Sequence, residues 1–177
     1  ILNKKDVKNM KHSIKKLTKK LKSSKDGRKF HFSKNRINSI HNLSKWPYIN
    51  KIQQDARLKK IITIFLKSKP KNFGSELFAK PAKYGLSSPA HQDNYYWCTK
   101  KGNALTVWFS LCNSNKKNGG VYYYKGSHKL GLLKHKSSFA PGSSQTLKLP
   151  QMMKKFKRII PSLKEGDCLI HHSLVVH

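Results

Sequence analysis

The stretch Glu165-Gly166-Asp167-Cys168-Leu169-Ile170-His171-His172-Ser173-Leu174-Val175-Val176-His177 reads as a Gly-Asp turn that feeds an apolar strand and ends in histidine. Histidine is the commonest metal ligand, so this segment supplies candidate donors. On a regular strand His172 and His177 face opposite ways, and the two are not expected to share one ion. His171 and His172 also have a plain reading, as a hydrogen-bonded pair that supports the strand.

Any partner for such a donor lies elsewhere in the chain. His91-Gln92-Asp93 is an H-x-D triplet. On extended chain its imidazole and carboxylate project to one face and can grip one ion. Two histidines and one carboxylate on one side of a metal leave positions open for other ligands, the arrangement of non-haem iron(II) oxygenases. Asp93 is one of only seven acidic residues.

From Ser75 onward the apolar pattern is that of short strands, at residues 76–80, 104–112, 120–124 and 167–170, with turns at Asn118-Gly119-Gly120 and Lys125-Gly126-Ser127. Such spacing predicts a sandwich or barrel. Residues 134–145, rich in serine with Pro141 and Gly142, read as a loop that is either a lid or an ordinary surface connection. Upstream, Val7, Met10, Ile14, Leu17 and Leu21 recur at helical steps, which predicts an amphipathic helix over residues 4–22. A break follows at Ser23, Ser24, Asp26 and Gly27. A second helix is expected over residues 49–67, ended by Pro70. The expectation is one domain, with residues 1–72 a helical, lysine-rich part and residues 73–177 a β core.

A hydrophobic fraction of 37% over 177 residues supports a folded body. The chain begins at Ile1 and stops at His177 within an apolar run, so both ends read as cuts. Cys98, Cys112 and Cys168 are an odd number without close pairing, which argues against a disulfide framework and for a reducing, cytoplasmic setting. No apolar run approaches membrane-spanning length, so no membrane partner is expected. The formal charge of +31 points toward polyanions. Arginine, the better phosphate and base-edge ligand, is only four of the 38 basic residues. Abundant Lys, Asn and Ile fit the codon bias of an AT-rich genome, and a nucleic-acid partner is disfavoured despite the charge. His12, His31 and His41 read as surface residues of the basic third, and His128 and His135 as structural residues of a turn and a loop.

In its last hundred residues the chain resembles the phytanoyl-CoA dioxygenase family. Gly166, Asp167, His172 and His177 match the family's G-D-x-x-x-x-H-x-x-x-x-H pattern. ELFAKPAK (76–83), Asn94-Tyr95-Tyr96-Trp97, ALTVWFSL (104–111), Asn118-Gly119-Gly120 and Gly126-Ser127-His128-Lys129 fall in the family's order. The resemblance implies a mainly β fold with flanking helices, a double-stranded β-helix of the cupin-like jelly-roll kind, with H-x-D on one of its strands. It implies Fe(II) held by His91, Asp93 and His177, with 2-oxoglutarate as cosubstrate. Trp108 is then placed at the cosubstrate pocket and Lys80 near it. The family's arginine for the far carboxylate of 2-oxoglutarate stands beyond the distal histidine, on a strand outside this chain, so the β-helix is expected to be C-terminally incomplete here.

The implied activity is a dioxygenase that uses O2 and turns 2-oxoglutarate into succinate and CO2 while hydroxylating a small-molecule or acyl substrate. Related halogenases carry a small residue where Asp93 stands, so hydroxylation is the expected outcome. The competing classes are a catalytically inactive β-helix protein with a structural role and a basic nucleic-acid-binding protein. The latter needs aromatics on exposed basic surface, whereas Tyr95, Tyr96, Trp97 and residues 122–124 flank predicted strands.

Overall fold

The computed structural model describes residues 2–21, 30–34, 36–43, 46–85, 87–140 and 143–177. The expected break at Ser23, Ser24, Asp26 and Gly27 lies outside the described residues, as do Pro141 and Gly142. The chain divides into two compact units. The first comprises Ile1–Gly85, Ser110–Cys112 and Lys164–Asp167; the second comprises Leu86–Phe109, Asn113–Leu163 and Cys168–His177.

In the first unit, helix α1 (Lys4–Leu21) forms where its periodicity predicts. Asn3 and Asp6 cap its start reciprocally: Oδ1 of Asn3 accepts the Asp6 N–H at 2.8 Å, and Oδ2 of Asp6 accepts the Asn3 N–H at 3.4 Å. Val7 and Met10 are buried. Farther along the stripe, Leu17 packs on the buried pair Ile40 and Leu43, together with Ile37, Trp46, Ile49 and Leu77. Ile37 and Ile40 lie on an antiparallel hairpin, β1 (Phe30–Ser33) and β2 (Arg36–Ile40), inside a third of the chain that periodicity reads as helical.

The single helix expected over residues 49–67 is two, α2 (Pro47–Gln54) and α3 (Ala56–Leu66). Asp55 between them is extended, and its carboxylate accepts the N–H groups of Arg57 and Leu58. An aspartate that satisfies the orphan donors of a new first turn restarts the helix. β3 (Leu77–Phe78) adds to β2 through Ser39↔Phe78 and Ile40↔Leu77.

The second unit holds the one-turn helix α4 (Asn94–Trp97) and three two-stranded antiparallel ladders. β4 (Leu105–Phe109) pairs with β9 (Cys168–His172) in the register Leu105↔His172, Thr106↔His171 and Trp108↔Leu169. β5 (Tyr123–Tyr124) pairs with β8 (Arg158–Ile159), and β6 (His135–Ala140) with β7 (Ser143–Leu147). Residues 134–145 are therefore mostly a hairpin rather than a loop. The Tyr96 hydroxyl holds it by accepting the Gln145 N–H at 3.1 Å.

Ala90, Leu147, Met153 and Val176 form the core of this unit, covered by Tyr124, Leu133, Met152 and Phe156. Backbone bonds tie the segments around it: Leu147 N–H to Ala90 O at 2.9 Å, and Tyr124 N–H to Val176 O at 2.9 Å. Among the described residues no helix is long and apolar enough to cross a membrane.

Candidate metal centre

The Gly166-Asp167 turn sits at the start of β9, and the chain leaves that strand through Ser173 and Leu174 before turning back as Val175-Val176-His177. Here it meets His91. The His91 N–H bonds His177 O at 3.0 Å and the His177 N–H bonds His91 O at 3.1 Å. Two residues that exchange both backbone bonds are directly opposite in an antiparallel pair, and their side chains leave on the same face. The two imidazoles accordingly lie with centroids 4.5 Å apart.

Asp93 joins them by a route the sequence does not show. The H-x-D triplet is not on a strand. Asp93 is helical (φ −58°, ψ −36°) and opens α4, accepting the Tyr96 N–H on its backbone oxygen. An aspartate in this position normally caps its helix. Asp93 makes no such bond; its carboxylate turns to the imidazoles, Oδ1 lying 3.9 Å from Nε2 of His91 and 3.5 Å from Nε2 of His177.

Gln92, between the two, holds the bend. It is fully buried, its amide donates to Gly131 O at 2.9 Å and to Leu174 O at 2.6 Å, and its Oε1 accepts the Leu133 N–H at 2.8 Å. Its backbone N–H reaches Nε2 of His135 at 3.2 Å, while Nδ1–H of that ring donates to Leu133 O. His135 thus has the structural role expected of it, on strand β6 and stacked on Tyr95 at 4.2 Å.

The donor set suits a cation. Nδ1–H of His91 donates to Pro89 O at 2.9 Å and Nδ1–H of His177 to Val175 O at 3.1 Å, which leaves an unprotonated Nε2 on each ring. Together with an Asp93 oxygen, these donors lie within 4.8 Å of one another and could hold a metal ion. The two Asp93 separations are shorter than twice a metal–nitrogen distance of about 2.1 Å. Burial pushes the His177 imidazolium down to about 3, against the attraction of Asp93. Burial also opposes the Asp93 charge, but the hydrogen bond from His171 and the imidazoles beside it outweigh that and hold the carboxyl well below its usual range. A carboxylate that stays ionised and a His177 ring that stays neutral are states a metal requires.

His171 and His172 are not a bonded pair. They point to opposite faces of β9: His171 meets Asp93 and Tyr123, whereas Nδ1 of His172 accepts the Leu174 N–H and its ring lies near His128. Trp108 is two residues from Thr106 on β4, and so shares the face from which the Thr106 hydroxyl reaches Asp93. Lys80 is exposed and belongs to the first unit. His41, read as a surface residue, is half-buried and bonded to Glu76 and Ser39, partners made neighbours by the β2–β3 ladder. Gln92, Thr106 and Tyr123 are the residues that sequence reasoning missed, and His171, read there as a candidate donor or as one of a bonded pair, instead bonds Asp93. Thr106 alone left a trace, as a polar residue inside the run ALTVWF.

The family model described as phytanoyl-CoA dioxygenase matches residues 1–177. Phytanoyl-CoA dioxygenase 1 of Oryza sativa subsp. japonica is 24% identical over 140 residues, which cover 78% of this chain and 48% of that protein. The chain therefore spans about half the length of this curated relative. Among solved structures, EctD from S. alaskensis with 2-oxoglutarate and 5-hydroxyectoine superposes with a TM-score of 0.77 at 18% identity, covering 99% of this chain and 62% of that one. The same enzyme with bound Fe gives 0.75 at 19%, covering 100% and 63%. SnoK, a non-heme alpha ketoglutarate dependent carbocyclase from nogalamycin biosynthesis, gives 0.72 at 16%, covering 99% and 68%. At these identities the likeness is one of fold.

Proposed function

Because the chain belongs to the phytanoyl-CoA dioxygenase family, we propose that it acts as an Fe(II)- and 2-oxoglutarate-dependent dioxygenase that hydroxylates a small-molecule or acyl substrate. The observation that carries this reading is the convergence of His91, Asp93 and His177 from a helix entrance and a returning segment. Their neighbours hold two Nε2 atoms and one Oδ1 toward a common point. We take these three as the iron ligands, and the antiparallel ladders of the second unit as strands of a double-stranded β-helix.

Iron(II) with 2-oxoglutarate would supply O2 activation there, the cosubstrate leaving as succinate and CO2. The chain's own part is to hold and orient. The carbonyls of Pro89 and Val175 fix the ring tautomers, and Gln92 fixes the bend that carries Asp93 inward. We assign Trp108, on the metal-facing side of β4, to the wall of the cosubstrate pocket. Asp93 occupies the position at which a halide would otherwise enter, which favours hydroxylation.

The test is succinate release from 2-oxoglutarate by the purified protein with Fe(II) added. Release should require iron, and Asp93→Ala should lower it at least about a hundredfold, the scale of losing a group that acts as part of a unit. Iron-dependent release that survives Asp93→Ala in full would remove the ligand assignment.

A further inference from the structure

The two oxygens of Asp93 have different surroundings. Oδ1 faces the Nε2 atoms of His91 and His177. Oδ2 is turned the other way, where it accepts the Thr106 hydroxyl and Nε2–H of His171, the latter at 3.0 Å. Both donors come from one rung of the β4–β9 ladder, since Thr106 and His171 are direct cross-strand partners and so project to the same side.

A third residue sets the polarity of that contact. The Tyr123 hydroxyl lies 3.2 Å from Nδ1 of His171. When it donates there, the proton of the neutral imidazole must sit on Nε2, the atom that meets Asp93. Tyr123 is buried, and its phenol O–H is placed to donate to that nitrogen. The His171 side chain is only 8% exposed, which leaves water little room to substitute for it.

We propose that His171 is a positioning residue which, with Thr106, occupies Oδ2 so that Asp93 can meet a metal through Oδ1 alone. This rests on the reading of His91, Asp93 and His177 as the metal centre. A chelating carboxylate would take a further coordination position, and the value of a two-histidine, one-carboxylate set lies in the positions it leaves open. Tyr123 acts one step farther out, by selecting the tautomer that donates. Bonds of this kind to a ligand govern metal affinity and ligand orientation, with losses of about tenfold to a hundredfold when they are removed.

Co(II) is the probe, titrated into the metal-free protein while affinity and the ligand-field absorption spectrum are read. The wild type should bind one Co(II) per chain. His171→Phe keeps an aromatic ring but donates nothing, and should weaken binding about tenfold to a hundredfold with a changed spectrum. His171→Gln still donates from near the position of Nε2 and should restore both. Tyr123→Phe should weaken binding in the wild-type background and add nothing to His171→Gln, because an amide needs no tautomer chosen for it.

If His171→Phe binds Co(II) as tightly and with the wild-type spectrum, the positioning role is overturned while the metal centre stands. A loss that His171→Gln does not restore overturns it as well, since the ring would then be mere packing. Should His171→Phe fail to fold, Thr106→Val removes the other donor to Oδ2 and must itself weaken binding and alter the spectrum; no change there is equally fatal. A wild type that binds no Co(II), or binds it undiminished in Asp93→Ala, defeats the metal-centre reading and this proposal with it.

Discussion

Gln92 is the residue on which the centre depends most heavily without belonging to it. It stands between two proposed ligands, yet its side chain points into the protein and satisfies two backbone carbonyls and one N–H. Gln92→Leu has similar volume but strands all three, and each buried polar group left unpaired costs about 1–3 kcal/mol. A loss of more than about 3 kcal/mol is expected in urea unfolding; a variant within about 1 kcal/mol of wild type would show that water replaces the amide. His177 makes the protein acid-sensitive. It is held neutral in the fold, down to about 3 against an ordinary 6.5, so its contribution to stability is complete above pH 6.5. As pH falls below that value the unfolded chain takes up the proton and the folded one does not, which removes up to ~1.4 kcal/mol per pH unit. Asp93, whose folded carboxyl is depressed, acts in the same direction at lower pH, where the unfolded carboxylate begins to protonate. The urea midpoint of the metal-free protein should therefore decline from about pH 6.5 downward. A midpoint that is flat to about pH 5 would mean that His177 titrates normally.

At the scale of elements, the turn that leads into β4 fits against the segment that follows β9. Gly102 has φ +63°, and a Cβ built there would stand 2.5 Å from the Leu174 side chain. The Gly102 carbonyl in turn accepts the buried Ser173 hydroxyl at 2.7 Å, so neither side can retreat without losing that bond. Gly102→Ala should cost about 1–3 kcal/mol from overpacking alone, with the left-handed backbone adding to it. Thermal unfolding measures this. If the variant melts with the wild type, the turn is free to move and does not brace the return segment. The N-terminal helices show how element boundaries respond to one residue. The apolar pattern runs through residues 49–67 without a break, and Asp55 divides it because its side chain satisfies donors that a continuous helix would not expose.

For the whole molecule the dominant quantity is charge. Against a formal +31 there are seven acidic residues, and the described ones are engaged: Asp6 with Lys51, Asp55 with Arg57, Glu76 with His41, Glu165 with Lys11, Asp167 with the Lys164 N–H, and Asp93 at the centre. With 38 basic residues against seven acidic ones, self-repulsion works against the compact state. Raising ionic strength from about 0.01 M to about 0.15 M shortens the Debye length from ~30 Å to ~8 Å. The melting temperature should rise over that interval. A fall would mean that the few ion pairs, which salt weakens, outweigh the repulsion.

Periodicity and local chemistry were enough to determine α1, the end of the helical pattern before Pro70 and the Gly166-Asp167 turn into β9, and they offered His91 and Asp93 as candidate metal donors. Each of these depends on neighbours within a few positions. The β1–β2 hairpin and the β6–β7 hairpin were hidden because their strands carry Ser, Asn, Lys and His on faces that pack only in context. The tertiary structure alone decided that Asp93 reaches the imidazoles from a helix entrance rather than a strand. It alone separated His171 from His172, and it recruited Thr106 and Tyr123. Those outcomes depend on backbone bonds between residues 91 and 177 and on the register of β4 against β9, relations between distant segments that no local pattern records.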